Sequence, residues 1–190
     1  MLLFLIRHGQ TEANLNGTYS GQTDVMLTEQ GRAQAEALCP QLKKYRFDQV
    51  FTSDLTRAID TQRLALPGRE GIRTPLLREI DVGELAGRSI SATLKEYGKN
   101  KGDYTRFGGE SNEQMTNRLR EFLAQLEKYR CECAVAFAHG GLIKSMLQIV
   151  MGARAELGSV ANGNCNVSVF QFDGSSWNLL AWNLMGIGLD

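Results

Sequence analysis

The chain has 190 residues, enough to fold around one continuous hydrophobic core, and a single domain spanning residues 1–190 is expected. Its 43% hydrophobic and 22% charged residues follow ordinary globular usage and exclude a disordered chain. The 21 basic side chains balance 21 acidic ones, which excludes a general nucleic-acid or membrane-surface role, so any affinity for phosphate must come from a local cluster of cations.

Leu2–Ile6 is a wholly apolar run that ends abruptly in Arg7-His8-Gly9. It reads as a buried strand of an α/β sheet whose polar residues sit at the carboxyl end, where such sheets bind ligands. The run is too short for a signal peptide or a spanning helix, and a cytoplasmic location is expected. Residues 9–27 read as a loop containing Gly9, Asn14, Asn16, Gly17 and Gly21. Thr28 is the expected N-cap of a helix with apolar positions Ala33, Ala37, Leu38, Leu42 and Tyr45, and Pro40 is expected to kink or divide it.

Phe47–Thr52 is a second expected strand. Ser53-Asp54 is expected to cap a helix from Leu55 to Leu66, stopped by Pro67-Gly68. A third extended segment runs from Ile72 to Leu77. Residues 83–110 carry glycines at 83, 87, 98, 102, 108 and 109, lack an apolar rhythm, and read as a lid or rim with one helix near 90–98. Ser111-Asn112-Glu113-Gln114 has capping-box spacing and opens a helix with Met115, Leu119, Phe122, Leu123 and Leu126 on one face. Cys133–Ala138 is a second wholly apolar run, ending in His139-Gly140-Gly141, with a helix expected over 142–151. Val167–Phe172 and Trp177–Asn183 read as a hairpin turning at Asp173-Gly174. The alternation of strands and helices predicts a three-layer α/β/α domain with a mostly parallel central sheet. Cys39, Cys131, Cys133 and Cys165 lack zinc-finger spacing and read as reduced thiols.

The chain has only two histidines. Each follows a buried apolar run and precedes glycine, and parallel strands put their carboxyl ends on one edge, so His8 and His139 are expected to converge. A metal site would need further ligands, for which Glu12, Glu79 and Asp81 are available by count. Arg7 beside His8 points instead to phosphate, as does Arg57 in the first turn of the helix after Ser53, because guanidinium groups bind phosphoryl oxygens in pairs. Amides of the helix after His139-Gly140 would add to such a site. This constellation suits phosphoryl transfer through an imidazole nucleophile, with arginines neutralising charge and an acid protonating the leaving oxygen.

Arg7-His8-Gly9-Gln10-Thr11-Glu12-Ala13-Asn14 resembles the R-H-G-x-T-x-x-N signature of the histidine phosphatase superfamily, the phosphoglycerate-mutase-like enzymes. The resemblance continues in the family's order through Gly21–Gly31, Ser53–Ala58, Leu77-Arg78-Glu79, Gly108-Gly109-Glu110-Ser111, His139-Gly140-Gly141 and Asn164. It implies that His8 is the nucleophile and becomes phosphohistidine. It also implies that Arg7, Arg57 and His139 hold the phosphoryl group, with Asn14 a further donor and Gly21, Gln22 and Gly140 at the substrate. Glu79 would be general acid and then base, where its position beside Arg78 would otherwise suggest a surface salt bridge. No metal and no cofactor are implied.

The chain departs from the family pattern at Gly83–Gly87, which lacks a common tryptophan and glutamate, and at Met26 and Phe107, where proline is common. These departures lie in loops that shape the pocket rim and leave the substrate open. Only 30 residues separate Glu79 from Gly109, whereas the family's mutases carry a helical insertion there. The chain also ends soon after its hairpin, so hydrolysis of a small phosphorylated metabolite is expected over phosphoglycerate mutase activity. The α-ribazole phosphatase branch is a candidate identity, and a phosphate-binding module without catalysis the least expected alternative. Rim residues Gln22, Arg88, Lys95, Tyr104, Arg106 and Lys144 are available to a second phosphate, a sugar or water. No nucleic-acid or membrane partner is expected; a homodimer is left open.

Overall fold

The computed structural model describes residues 1–98, 102–152 and 160–185. Strands β1 (Leu2–Arg7), β2 (Gln49–Ser53), β3 (Ile72–Thr74), β4 (Cys133–Ala138), β5 (Val167–Phe172) and β6 (Trp177–Leu184) form one sheet in the order β3-β2-β4-β1-β5-β6. The first four are parallel to one another, while β5 and β6 run antiparallel and form the expected hairpin.

The unbroken apolar runs of β1 and β4 follow from cover on both faces. Leu3 and Leu5 of β1, with Ala134, Ala136 and Ala138 of β4, face helices α5 (Asn112–Leu126) and α6 (Gly140–Met151). There they meet Leu119, Phe122, Leu142, Ile143 and Met146. Phe4, Ile6, Val135 and Phe137 point the other way, toward Ala35, Leu38 and Leu42 of α2 (Glu29–Leu42) and Ala65 of α3 (Thr56–Ala65). The three-layer α/β/α architecture and the mostly parallel sheet are those expected from the strand and helix alternation.

Several local expectations are corrected. Residues 9–27 include a helix, α1 (Glu12–Leu15), closed by a capping box in which the Thr11 side chain accepts from Asn14 N and Asn14 reaches back to Thr11 N. Four residues are too few to show a periodicity. Pro40 does not divide α2, which runs through it to Leu42; so near the C-terminus a missing N–H forfeits one bond and strands no later turn. The buried face of α2 is Gly31, Ala35, Leu38 and Leu42, while Ala33 and Ala37 are exposed. Alanine is too small to settle which stripe faces the sheet.

The N-cap of α3 is Leu55, without a side-chain bond of its own; Thr56 N is satisfied by Asp24 Oδ1 at 2.8 Å, from a distant loop. Asp54 instead takes the Arg78 guanidinium with both oxygens, at 2.7 and 2.6 Å. The third extended segment is strand only over Ile72–Thr74 and then a 3-10 turn over Pro75–Leu77.

In the segment 83–110, α4 (Ile90–Tyr97) forms as expected between 3-10 turns at Gly83–Leu85 and Thr105–Phe107; residues 99–101 of that segment lie outside the described residues. Its two ends are fastened together. Glu110 N donates to Asp81 O at 2.8 Å, and a Cβ on Gly83 would stand 1.9 Å from Phe107 O. Ser111 and Gln114 form the expected capping box of α5, and its five expected apolar residues are buried. All four cysteines are free, Cys165 buried and the others partly so. Among the described residues, no helix is long and apolar enough to cross a membrane.

Candidate active site

Because β1, β4 and β2 are neighbours and parallel, their carboxyl ends share one edge of the sheet. β1 ends at Arg7 and His8, β4 at His139, and β2 leads through Ser53 to Arg57, the second residue of α3. The His8 and His139 ring centroids lie 5.2 Å apart. Arg57 and His139 are fully buried and His8 is 4% exposed, so the expected convergence is observed.

The two imidazoles carry their protons on opposite nitrogens. His8 Nδ1 is 2.7 Å from Gly9 O. A carbonyl only accepts, so Nδ1 holds the hydrogen and Nε2 presents a lone pair. At His139 the donor is Arg57 Nε, 3.2 Å from Nδ1. Arginine only donates, so the neutral ring of His139 holds its hydrogen on Nε2. Burial first, then the positive charges of Arg57 and Arg7, push the His8 pKa well below 6.5. His139 is driven the same way by burial, then by Arg57, His8 and Arg7. Both rings are therefore neutral at neutral pH, His8 presenting a lone pair on Nε2 and His139 a hydrogen-bond donor on Nε2.

His139 Nε2 and Arg7 Nε are buried donors without an acceptor among the described residues. Buried polar groups are normally paired, and leaving one unpaired costs about 1–3 kcal/mol. Both lie at the N-terminus of α6: His139 is its N-cap, and a Cβ on Gly140 would stand 3.3 Å from Arg7 Nε. Two free donors at a helix N-terminus form a seat for a tetrahedral anion.

Arg57 completes the cationic wall and also braces it. Nη2 donates to Gly21 O at 2.7 Å and Nη1 to Thr23 O at 2.9 Å, while burial lowers its pKa to about 10, still leaving it charged at neutral pH. Gly21 can deliver its carbonyl because it has no side chain: its φ is +49°, and a Cβ would stand 2.6 Å from Val82 Cγ2. Arg7 is steadied by donation from Nη1 to Asn162 O.

Glu79 lies two residues past the 3-10 turn and does not pair with Arg78. Its Oε2 accepts from Gly141 N and its Oε1 from Ile80 N, each at 2.9 Å. A Cβ on Gly141 would stand 2.3 Å from Glu79 Oε1, so glycine is what lets the carboxylate dock on the N-terminus of α6. The Glu79 charge is felt at both Arg7 and Arg57.

The remaining expected site residues divide. Asn14 Oδ1 accepts from Thr11 N at 3.2 Å and Asn164 Nδ2 at 3.0 Å, which leaves its amide nitrogen as the donor end. Asn164 Nδ2 is also 3.0 Å from His8 O, linking Asn14 to the histidine loop. Gln22 is spent on the frame behind Glu79. Its Nε2 donates to Glu79 O at 3.2 Å and its Oε1 accepts from Arg78 Nη1 at 3.3 Å. On the rim, Arg88 pairs with Glu96, and Arg106 lies over the rings of Tyr97 and Phe107. Lys144 lies close enough to the site for its pKa to be lowered by burial and then by Arg7. Among the described residues, no three His, Cys, Asp or Glu side chains come together as a metal-ligand set, so Glu12, Glu79 and Asp81 do not supply one with the histidines.

Sequence reasoning gave no role here to Gly141, whose N–H meets the Glu79 carboxylate, or to Asn162, whose carbonyl meets Arg7. The second glycine of His139-Gly140-Gly141 was a signal for Gly141, since a helix start needs no glycine there. The Asn162-Gly163-Asn164 run was one for Asn162.

The chain is similar along most of its length to known proteins. The family model for the histidine phosphatase superfamily (branch 1) matches residues 3–185. Adenosylcobalamin/alpha-ribazole phosphatase from Salmonella typhimurium is 32% identical over 157 residues, covering 77% of this chain and 78% of the relative. 2,3-Bisphosphoglycerate-dependent phosphoglycerate mutase 2 from Gloeobacter violaceus is 36% identical over 161 residues, covering 77% and 74%. The solved alpha-ribazole phosphatase from Shigella flexneri superposes with a TM-score of 0.85 at 28% identity, covering 100% of both chains.

Proposed function

We propose that this chain, which belongs to the histidine phosphatase superfamily (branch 1), is a phosphomonoesterase that hydrolyses a small phosphorylated metabolite through a phosphohistidine on His8. The observation that carries the reading is the opposed pair of tautomers: a bare His8 Nε2 beside unpartnered donors on His139 Nε2 and Arg7 Nε.

In the first step His8 Nε2 attacks phosphorus, the bond from phosphorus to the ester oxygen breaks, and the departing oxygen takes a proton from Glu79. In the second, the Glu79 carboxylate takes a proton from water. The oxygen attacks phosphorus, the phosphorus–nitrogen bond breaks, and inorganic phosphate leaves neutral His8 behind. Arg7, Arg57 and His139 hold the equatorial oxygens as their charge develops, with Asn14 a further donor. None of these steps requires a metal or a cofactor.

Hydrolysis is favoured over transfer to a second hydroxyl by the short segment between Glu79 and Gly109, which leaves water access to the phosphoenzyme. The relatives named above make α-ribazole phosphate and phosphoglycerates the first substrates to compare, alongside sugar phosphates. The four free cysteines support a reducing, cytoplasmic setting.

Acid- and alkali-quenched reactions with labelled phosphate esters test the mechanism. The expected product is a phosphoenzyme stable to alkali and labile to acid, absent from His8→Ala, and formed equally well in EDTA. An acid-stable phosphoenzyme, undiminished turnover in His8→Ala, or activity lost on chelation and restored by zinc would overturn it. Isomerisation of a phosphoglycerate without release of phosphate would replace the hydrolase reading with a mutase.

A further inference from the structure

Glu79 sits on a stretch of chain that secondary structure does little to hold. It follows a three-residue 3-10 turn and precedes the segment 83–110, so the carbonyls around it need partners from elsewhere. Most of those partners come from one side chain, with Gln22 Nε2 sharing Glu79 O. Arg118 of α5 donates from Nη1 to Leu76 O and to Arg78 O, each at 3.0 Å, and from Nη2 to Glu79 O at 3.2 Å.

The guanidinium is itself held by a fork: Nε to Glu110 Oε1 at 3.2 Å and Nη2 to Glu110 Oε2 at 3.0 Å. Glu110 Oε2 also accepts from Asp81 N at 2.9 Å, on the far side of Glu79. Arg118 and Glu110 thus grip the backbone on both sides of Glu79, while Gly141 N grips its carboxylate. Neither residue hydrogen-bonds to Arg7, His8, Arg57 or His139, although the Arg118 charge is felt at His139.

We infer that Arg118 and Glu110 are positioning residues for proton transfer by Glu79: they set where its carboxylate stands relative to the leaving oxygen. The inference rests on the reading of Glu79 as proton donor. The geometry asks for arginine in particular, since its planar fork presents five donors to several carbonyls and a carboxylate at once, whereas lysine offers one compact charge. Only Arg118→Lys therefore separates a role in geometry from a role in charge.

The experiment compares kcat/KM for p-nitrophenyl phosphate, whose leaving group departs without a proton, with kcat/KM for a simple alkyl phosphate, whose leaving group needs one. Wild type, Arg118→Lys, Glu110→Gln and Glu79→Gln are measured, with thermal midpoints to confirm folding. Glu79→Gln should raise the ratio of the two constants by about 10²–10⁴-fold, the usual contribution of a general acid. Arg118→Lys should raise it by about 10²-fold, the scale of a 1 Å misplacement. Glu110→Gln should move it in the same direction, and carries the test if Arg118→Lys fails to fold.

An unchanged ratio in the clamp variants, with a raised ratio in Glu79→Gln, overturns the positioning role alone. A ratio unchanged in Glu79→Gln overturns the proton-donor reading and the positioning role with it. Full activity on both substrates in Arg118→Lys would show that only the charge at this position matters.

Discussion

Arg57 Nε stands 3.2 Å from His139 Nδ1, and that one bond decides which nitrogen of His139 carries the proton. Gly9 O makes the opposite choice for His8. Two histidines in the same local context, each at the end of an apolar strand and before glycine, are thereby assigned different chemistry by a single neighbour apiece. Arg57 in turn is aimed by carbonyls from Gly21 and Thr23, so the state of His139 is fixed by a loop that follows β1 by more than a dozen residues.

The depressed pKa values of both histidines make stability depend on pH with a definite sign. An unfolded histidine titrates near 6.5, and both folded ones titrate well below it because protonation would add charge to a buried site beside Arg57 and Arg7. Below 6.5 the unfolded chain therefore binds more protons than the native one. Their contribution is complete above that pH and is lost as pH falls toward the folded values. The expected slope between about pH 6.5 and 5 is up to about 1.4 kcal/mol per pH unit for each histidine, in a range where most carboxylates stay ionised. Urea unfolding across this interval measures it, and His139→Gln should remove about half the slope. Stability that stays flat down to about pH 5 would contradict the neutral, buried assignment.

Arg57 is the test of the phosphate seat. Arg57→Lys keeps a cation but loses the planar donor set that links His139, Gly21 and Thr23. The expected loss in kcat/KM is about 10²–10³-fold, the range for removal of one transition-state hydrogen-bond donor. Vanadate, which adopts the five-coordinate geometry of the transferring phosphoryl group, should inhibit the wild type, and its inhibition constant should rise in step with the lost kcat/KM. An inhibition constant that stays put while kcat/KM falls would mean that Arg57 acts on substrate binding away from the phosphoryl group.

Gly141→Ala should separate stability from chemistry. The added Cβ would stand 2.3 Å from Glu79 Oε1, the far end of a side chain that can swing aside. Folding should therefore change little, since alanine in a helix is worth up to about 1 kcal/mol over glycine and offsets the adjustment. The displaced carboxylate should slow alkyl phosphates by about 10²-fold in kcat/KM and p-nitrophenyl phosphate far less. Equal losses on both substrates would show that the substitution disturbs the phosphate seat rather than the acid.

Much of this site was legible because its chemistry lies at the ends of strongly patterned elements. The runs Leu2–Ile6 and Cys133–Ala138 are apolar at every position, the strongest signal a buried parallel strand can give, and the convergence of their ends follows from strand geometry alone. Arg118 carried no such mark. A charged residue beside Leu119 on an amphipathic helix has the pattern of any solvated side chain, and only the fold brings the chain around Glu79 within its reach. Glu79 without its family context looks like a partner for Arg78, and the structure gives Arg78 to Asp54 instead. Long-range choices among several available ion-pair partners leave no local trace, which is why the frame around Glu79 was hidden while the convergence of the two histidines was not.

Gly31 tests how tightly the loop that carries His8 is held. It lies in the first turns of α2, and a Cβ there would stand 2.1 Å from Gln10 O and 2.8 Å from Gln10 N. The reciprocal contact is as close: a Cβ on Gly9 would stand 2.3 Å from Gly31 O. These are backbone atoms and cannot swing aside as Glu79 does. Replacing a helical glycine by alanine ordinarily stabilises by about 1 kcal/mol. Here the sign should reverse, with a loss of about 1–3 kcal/mol, the usual cost of forcing extra volume into a packed contact. Because Gly9 O fixes the proton on His8 Nδ1, displacement of this loop should also lower kcat/KM on p-nitrophenyl phosphate and alkyl phosphates alike, unlike Gly141→Ala. Urea unfolding and the two rate constants on Gly31→Ala make the comparison; a gain in stability with full activity would show that the loop behind His8 is free to move.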